Sequence, residues 1–324
     1  MRKTFAVIIF LGLTAAPSIS AQTEHCKQRT ISVVASNPDG SPLSTLDRTN
    51  FVGTYRKTPL HIVESSLNHD PIRVVLLLDV SGSIGGVTDG RRFSLGVAEN
   101  LLQNMPPETA IGLAFFYSKL IPISPPTTDR KSLIDQVQAL YLHPESYRGK
   151  TALWDALIGG ARMFDHPRLG DVIYLVTDGG NNAGNTTLQQ VIHTLGDSGI
   201  RLSGVVFRSP AGLLRHDEES LGPPNLDQVA RETGGTILTQ FPPTGSFIPM
   251  NGAAAPVDTA GKRSPFSLAL DAQYLQLTSF YRISFDLPEA LHKPEGWKLE
   301  LAGMEESQRK TITLTYPHTL ATCQ

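Results

Sequence analysis

The sequence predicts an α/β protein: a doubly wound, mostly parallel sheet inserted in a small β-sandwich formed by the N- and C-terminal strands. Three observations lead there. Four near-continuous apolar runs, "RVVLLLD", "AIGLAFFY", "DVIYLVTD" and "IRLSGVVF", recur between residues 73 and 207, as in strands covered on both faces. Helical patterns separate them, which is the βα repeat of a doubly wound sheet. Segments rich in β-branched and aromatic residues bracket this region at both ends.

The elements follow in order. Residues 1–21 read as a secretory signal peptide: Arg2 and Lys3 precede the apolar stretch Phe5 to Ala16, then come Pro17 and the small residues "SISA". A retained anchor is the alternative, but that stretch falls short of the ~20 apolar residues a spanning helix needs. The mature chain is therefore expected to start near Ala21 or Gln22, secreted or periplasmic, without a transmembrane segment.

Residues 22–70 form an N-terminal β segment. "TISVVAS", "NFVGTY" and "TPLHIVESSL" are its strands, with the turn signal "NPDGS" after the first. Residues 71–280 form the α/β unit. Its helical patterns include "RRFSLGVAENLLQNM", with Phe93, Val97, Leu101 and Leu102 on one face, and "TALWDALIGGARMF", with Leu153, Leu157, Ala161 and Phe164. "TTLQQVIHTLGDSG" and "NLDQVARETGG" end at glycine, a common helix stop. One more helix, "FSLALDAQYLQLT", follows a Pro-, Gly- and Ala-rich stretch.

Residues 281–324 return to strands, "FYRISFDL" at the junction, then "WKLELAG" and "KTITLTYP". Two or three strands alone are marginal, so this segment is expected to pack with residues 22–70, two separate hairpins being the alternative. The two cysteines, Cys26 and Cys323, stand at opposite ends of the mature chain. In an oxidising compartment they suit a disulfide, worth on the order of 5 kcal/mol for so long a loop; two free thiols are the other possibility.

Composition narrows the function classes. With 40 % hydrophobic and 18 % charged residues, neither a disordered chain nor a multi-pass membrane protein is expected. The net charge of −2 and the lack of a basic run give no sign of nucleic acid as a partner. The nine histidines are scattered without metal-ligand spacing. "RHDEES" reads as a solvated loop and Trp154 as a packing residue of its helix.

The stretch "DVSGS" carries the most chemistry. Asp79, Ser81 and Ser83 follow an apolar strand, where a polar, helix-capping turn is the ordinary explanation. A nucleophile elbow needs glycine two residues before and after the serine; Ser81 has Asp79 before it and Ser83 has Ser81. "RGKT", Arg148 to Thr151, looks like the end of a phosphate-binding loop, but its first glycine would fall at Pro144. No nucleotide is expected. A cation site gains from two further stretches. Thr151 opens a helix in "GKTALWDAL", and Asp178 ends the strand "VIYLVTD". Strand carboxyl ends share one sheet edge, where ligands bind at the switch point. Two carboxylates and three hydroxyls make an all-oxygen set suited to a hard cation and poor for zinc.

"DVSGS", "GKTALWDAL" and "VTDGG" together resemble the three parts of the metal-ion-dependent adhesion site of von Willebrand factor type A domains. The Rossmann-like fold of those domains agrees with the α/β reading. "LDQVARETGGTIL", "YRISFDL" and "ITLTYPHTLATC", and more loosely "PLSTLDRTNFVGTYRKTPLHIVESSL", resemble a bacterial secreted family called VWFA-related, first described in acidobacteria. The resemblance implies that Ser81 and Ser83 bind Mg²⁺ (or Mn²⁺ or Ca²⁺) directly. Asp79 and Asp178 act directly or through water, and Thr151 joins in the ligand-bound state. A partner protein then supplies an Asp or Glu carboxylate. The implied function is an exported, metal-dependent protein-binding and adhesion module, not an enzyme; the alternative is a metal-independent structural or assembly protein of the cell envelope. Many relatives carry a further acid after the third part, where this chain has Gly180, Asn181 and Asn182; fewer acids weaken the local negative potential. Gly179 to Thr186, Arg208 to Asn225 and Phe241 to Pro265 are expected as long loops around the same edge, forming a specificity surface.

Overall fold

Three strands open the fold: β1 (Gln28–Ser36), β2 (Phe51–Tyr55) and β3 (Thr58–Leu67). The computed structural model describes residues 26–85, 88–143, 148–207, 217–240 and 263–322. The expected signal peptide, residues 1–21, lies outside the described residues, as do Cys323 and most of the two later expected loops. Cys26 carries no free thiol.

The α/β unit follows. Its strands are β4 (Arg73–Asp79), β5 (Ala110–Phe116), β6 (Leu120–Thr127), β7 (Val172–Thr177), β8 (Arg201–Phe207) and β9 (Ile237–Gln240). They form one sheet in the order β6-β5-β4-β7-β8-β9, parallel except for β6. Six helices of more than two turns accompany the strands: α1 (Thr88–Asn104), α2 (Arg130–Leu142), α3 (Leu153–Ala161), α4 (Leu188–Ser198), α5 (Asp217–Thr233) and α6 (Pro265–Thr278).

Strand periodicity explains why β4 is apolar throughout. Val74, Leu76 and Leu78 face one core with Val97 and Leu101 of α1, Leu133 and Val137 of α2, and Leu270 and Leu277 of α6. Val75 and Leu77 face the other, with Leu157 of α3, Val191 and Leu195 of α4, and Leu226 and Val229 of α5. A sheet covered on both sides has no polar face to alternate with. β6 was not expected as a strand. Pro122, Pro125 and Pro126 remove backbone donors from it, and it survives because it lies at the sheet edge. The expected loop Arg208 to Asn225 is also corrected: α5 begins at Asp217 and runs through Pro223 and Pro224.

The last strands are β10 (Tyr281–Asp286), β11 (Glu295–Gly296), β12 (Lys298–Leu301), β13 (Thr313–Thr315) and β14 (Thr319–Leu320). N- and C-terminal strands interleave in one antiparallel sheet, ordered β12-β2-β3-β10-β1-β13, with β11 and β14 as a separate ribbon. The terminal strands thus share one sheet in place of two separate layers, and its edge regions approach each other. The Leu299 amide of β12 donates to the Tyr316 hydroxyl at 3.1 Å, and the Trp297 indole N–H donates to the Pro317 carbonyl at 2.7 Å. Trp297 stacks on Phe285 and meets Tyr316 edge-on, with centroids 4.7 and 5.3 Å apart, which fills the space between these edge regions. Tyr281 of β10 is the register partner of Leu67 of β3, so the α/β unit leaves and re-enters this sheet at adjacent positions.

Two buried polar residues stand out in the α/β unit. Arg201, at the start of β8, is fully buried. Its guanidinium donates to the carbonyls of Leu277 (2.6 Å), Gly170 (3.3 Å) and Gln276 (3.4 Å), and lies 4.4 Å from the centroid of the Phe280 ring. Burial lowers its pKa to about 10 against the opposing pull of Asp171. Glu99 of α1 is 1 % exposed and neither of its carboxyl oxygens has a hydrogen-bond partner; burial pushes its carboxyl above the usual range, with Gln138 of α2 pulling the other way. The native state thus binds a proton at Glu99 more tightly than the unfolded chain does. Stability from this group is full below the ordinary glutamate pKa and falls as pH rises above it. Glu99→Gln is expected to stabilise the protein by about 1 kcal/mol at pH 8 and to give no gain at pH 4; urea midpoints at both pH values measure this.

Candidate metal site

The order of strands reverses at β4, because the chain places β5 on one side of it and β7 on the other. A crevice opens at such a point, outside the strand carboxyl ends. β4 ends in Asp79, and Asp178 directly follows β7. Asp79 is fully buried. Its Oδ2 accepts from the Thr177 hydroxyl at 2.6 Å and its Oδ1 from the Ser81 amide at 2.8 Å. The hydroxyls of Ser81 and Ser83 lie 3.0 Å apart, and the Ser83 hydroxyl beside Asp178 favours its charged form. Asp178 also accepts from the Gly180 amide at 3.3 Å. Asp79, Ser81, Ser83 and Asp178 therefore form one connected polar cluster.

Two carboxylates this close are costly. Burial first, and the Asp178 charge second, raise the Asp79 carboxyl from 3.8 to about 7, although Thr177 and Ser81 hydrogen-bond to its charged form. Burial raises Asp178 as well.

The third part reaches the same edge through its backbone. The Arg148 amide donates to the Val80 carbonyl at 2.9 Å, and the Gly82 amide to the Gly149 carbonyl at 3.1 Å. Gly149 has φ +79°, and a Cβ there would meet the Tyr117 ring at 3.2 Å, so the turn needs glycine. The Ala152 amide donates to the Tyr117 carbonyl at 2.7 Å. Thr151 is buried between these anchors.

Asn181 and Asn182 brace this loop. The Asn182 side-chain oxygen accepts from the Thr151 amide at 2.8 Å, while the Asn182 and Ala183 amides donate to the Thr151 carbonyl at 2.9 and 3.0 Å. The Asn181 side-chain oxygen accepts from the Trp154 amide at 3.3 Å. Ala152, the N-cap of α3, makes no side-chain cap bond, so the Asn181 side chain satisfies a first-turn donor, the Trp154 amide, that a local cap would otherwise serve. Asp155 then accepts from the Thr186 amide at 2.9 Å, and the Thr186 side chain first, with this amide after it, lowers its pKa. Sequence reasoning named neither Thr177 nor the bracing role of the two asparagines. The one available signal was a hydroxyl and two side-chain amides immediately flanking "DGG". Behind Asp178, a Cβ on Gly222 of α5 would lie 1.9 Å from the Gly179 carbonyl, so α5 packs directly on the backbone after the second carboxylate.

The donor set is all oxygen, with two carboxylates and nearby hydroxyls. Among the described residues no group of three or more His, Cys, Asp or Glu side chains is placed to hold a metal. A cation here would therefore rely on hydroxyls and water for the rest of its shell. A hard divalent ion fits that chemistry, and its charge offsets the repulsion between Asp79 and Asp178.

The family model for the von Willebrand factor type A domain matches residues 74–231. No curated protein matches the sequence. Similar solved structures include the conserved hypothetical protein BatB from Bacteroides thetaiotaomicron, at 17 % identity over 64 % of this chain and 98 % of that one, TM-score 0.46. A von Willebrand factor type A protein from Catenulispora acidiphila aligns at 11 % identity over 91 % and 73 %, TM-score 0.44. The manganese-loaded TRAP protein of Plasmodium vivax aligns at 12 % identity over 78 % and 95 %, TM-score 0.40. Among the described residues no helix is long and apolar enough to cross a membrane. Residues 74–231, which hold all three parts of the candidate site, are a von Willebrand factor type A domain.

Proposed function

We propose that the protein is an exported, metal-dependent protein-binding module of the bacterial VWFA-related type. The observation that supports this best is the pairing of two carboxylates, Asp79 and Asp178, at the switch point, with Asp79 driven to about 7 by burial and by its neighbour. Asp79, Ser81, Ser83, Asp178 and Thr151 would hold a divalent cation, Mg²⁺ or else Mn²⁺ or Ca²⁺. Bound there, the cation supplies a positive centre that attracts an Asp or Glu carboxylate of a partner protein. The chain's own residues do the positioning. Thr177 and the Ser81 amide hold Asp79, the Gly180 amide holds Asp178, and Asn182 holds the Thr151 loop. On this reading the role is binding: the cation would bridge the domain to its partner's carboxylate. Export through the 1–21 signal peptide, and a Cys26–Cys323 disulfide, complete the reading.

A pull-down from cell-envelope or culture fractions tests it. Partner capture is expected in Mg²⁺, and is lost both in EDTA and with Asp79→Ala. Equal capture in EDTA would instead indicate a metal-independent envelope protein.

A further inference from the structure

On the described loops around the candidate site the charges are one-sided, with Asp155 of α3 the acid that faces one of them. The described loops at this edge are Val80–Gly85, Tyr117–Lys119, Arg148–Ala152 and Asp178–Thr187. Beyond Asp178 itself, their charged side chains are Lys119, Arg148 and Lys150, all cations and all exposed. None of the three has a carboxylate partner among the described residues.

These cations are displayed on braced backbone. Arg148 and Lys150 flank Gly149, which is bonded to Gly82, and Lys150 immediately precedes Thr151, which is bonded to Asn182. Lys119 follows Tyr117 in the turn that accepts the Ala152 amide, and its carbonyl receives the Tyr117 amide at 3.1 Å. A flexible loop would spread such charge; here three hydrogen-bonded turns hold it around one crevice. The asparagines at 181 and 182 add to the effect, because they brace the loop without adding the negative charge an acid would bring.

We propose that this rim selects a partner segment with several acidic residues, one carboxylate reaching the site and its neighbours meeting Arg148, Lys150 and Lys119. The inference rests on the metal-bridge reading above. A divalent cation offsets Asp79 and Asp178, so the rim cations stand unneutralised, and a single incoming carboxylate leaves most of that charge uncompensated. An acidic run matches it, and its field also speeds encounter. A polypeptide is favoured over other polyanions because the site itself calls for a carboxylate.

The test uses the full-length mature protein and two labelled synthetic peptides, followed by fluorescence anisotropy. One carries a single Asp among Gly and Ser; the other has three Glu beside that Asp. In Mg²⁺ the native protein is expected to bind the acidic peptide about tenfold more tightly, as exposed charge pairs of modest strength would give together. The preference is expected to shrink as salt is added. The R148Q/K150Q double variant is expected to bring the preference below about threefold while keeping the single-Asp affinity and the native melting temperature.

Equal affinity of the native protein for both peptides overturns the proposal and leaves the metal-bridge reading intact. So does an acidic preference that survives in the double variant. Binding of the acidic peptide, or of a sulfated polysaccharide, equally well in EDTA makes the rim a general polyanion surface and overturns the assignment to an acidic polypeptide. Binding of neither peptide in Mg²⁺ overturns the metal-bridge reading and the rim proposal together.

Discussion

Magnesium added to metal-stripped protein at pH 8 is expected to raise its melting temperature by roughly 5–10 °C. A ligand at a hundred times its dissociation constant stabilises the native state by about 2.7 kcal/mol, and each kcal/mol shifts a domain of this size by roughly 2–4 °C. The gain depends on pH, with a sign set by Asp79. Its folded carboxyl is raised from 3.8 to about 7, so the metal-free native state holds a proton there that the unfolded chain has already lost. Stability from that proton is full below the ordinary aspartate pKa and disappears as pH rises through about 7. Metal binding needs the carboxylate and competes with the proton. The shift is therefore expected to be small at pH 5 and full at pH 8. Asp79→Ala is expected to melt identically with and without Mg²⁺. Asp79→Asn keeps one acceptor oxygen for the Ser81 amide, leaves its NH2 to donate to the Thr177 hydroxyl, and removes the repulsion with Asp178, so its metal-free form at pH 8 is expected to be at least as stable as the native protein. Native melts that coincide with and without Mg²⁺ across this pH range would remove the basis of the metal reading.

Arg201→Met is expected to lower stability by about 3 kcal/mol or more. Two effects compete. The buried guanidinium has a desolvation cost, visible in its pKa of about 10, and methionine removes that cost while keeping much of the stem. Against this, the carbonyls of Gly170, Gln276 and Leu277 lose their donor inside the protein. An orphaned buried acceptor costs about 1–3 kcal/mol, more than a hydrogen bond contributes on average. Two of these carbonyls belong to the last turn of α6, which has no further helical donors to offer them. Loss of the acceptors' partner wins. Denaturant unfolding checks the size of the effect, and a change below 1 kcal/mol contradicts the argument. The magnesium-induced shift in melting temperature is expected to persist in this variant, because Arg201 starts the strand whose far end faces the candidate site.

Strands β4, β5, β7 and β8 were legible because burial on both faces leaves an unbroken apolar run. β6 was not, since Pro122, Pro125 and Pro126 argue against a strand, and only an edge position reconciles them with one. The start of α5 at Asp217 was hidden by Pro223 and Pro224, which read as loop signals. The candidate residues Asp79, Ser81, Ser83, Thr151 and Asp178 could be named from three short motifs because each motif sits at a strand or helix end. Their supports were not legible. Asn182 meets Thr151 across 31 positions of sequence, and no local pattern encodes that pairing. The asparagines read in the sequence as a missing acid, and in the fold Asn181 caps α3 from a distance while Asn182 holds the Thr151 loop. The terminal strands were recognisable as strands, but their merging into one sheet rests on β10 pairing with both β1 and β3, across more than two hundred residues of sequence that no local pattern spans.

The pairing of Leu67 with Tyr281 has a consequence for how the molecule assembles. Joining β3 to β10 in an unfolded chain means closing a loop of more than two hundred residues, from 67 to 281. The entropic cost grows with the logarithm of that length. Once the α/β unit has folded, its two ends already stand side by side, and the closure is complete before the strands meet. The whole metal-site domain then serves β3 and β10 as an oversized hairpin turn. The antiparallel sheet is expected to form last and quickly, on a template its own insertion has prepared.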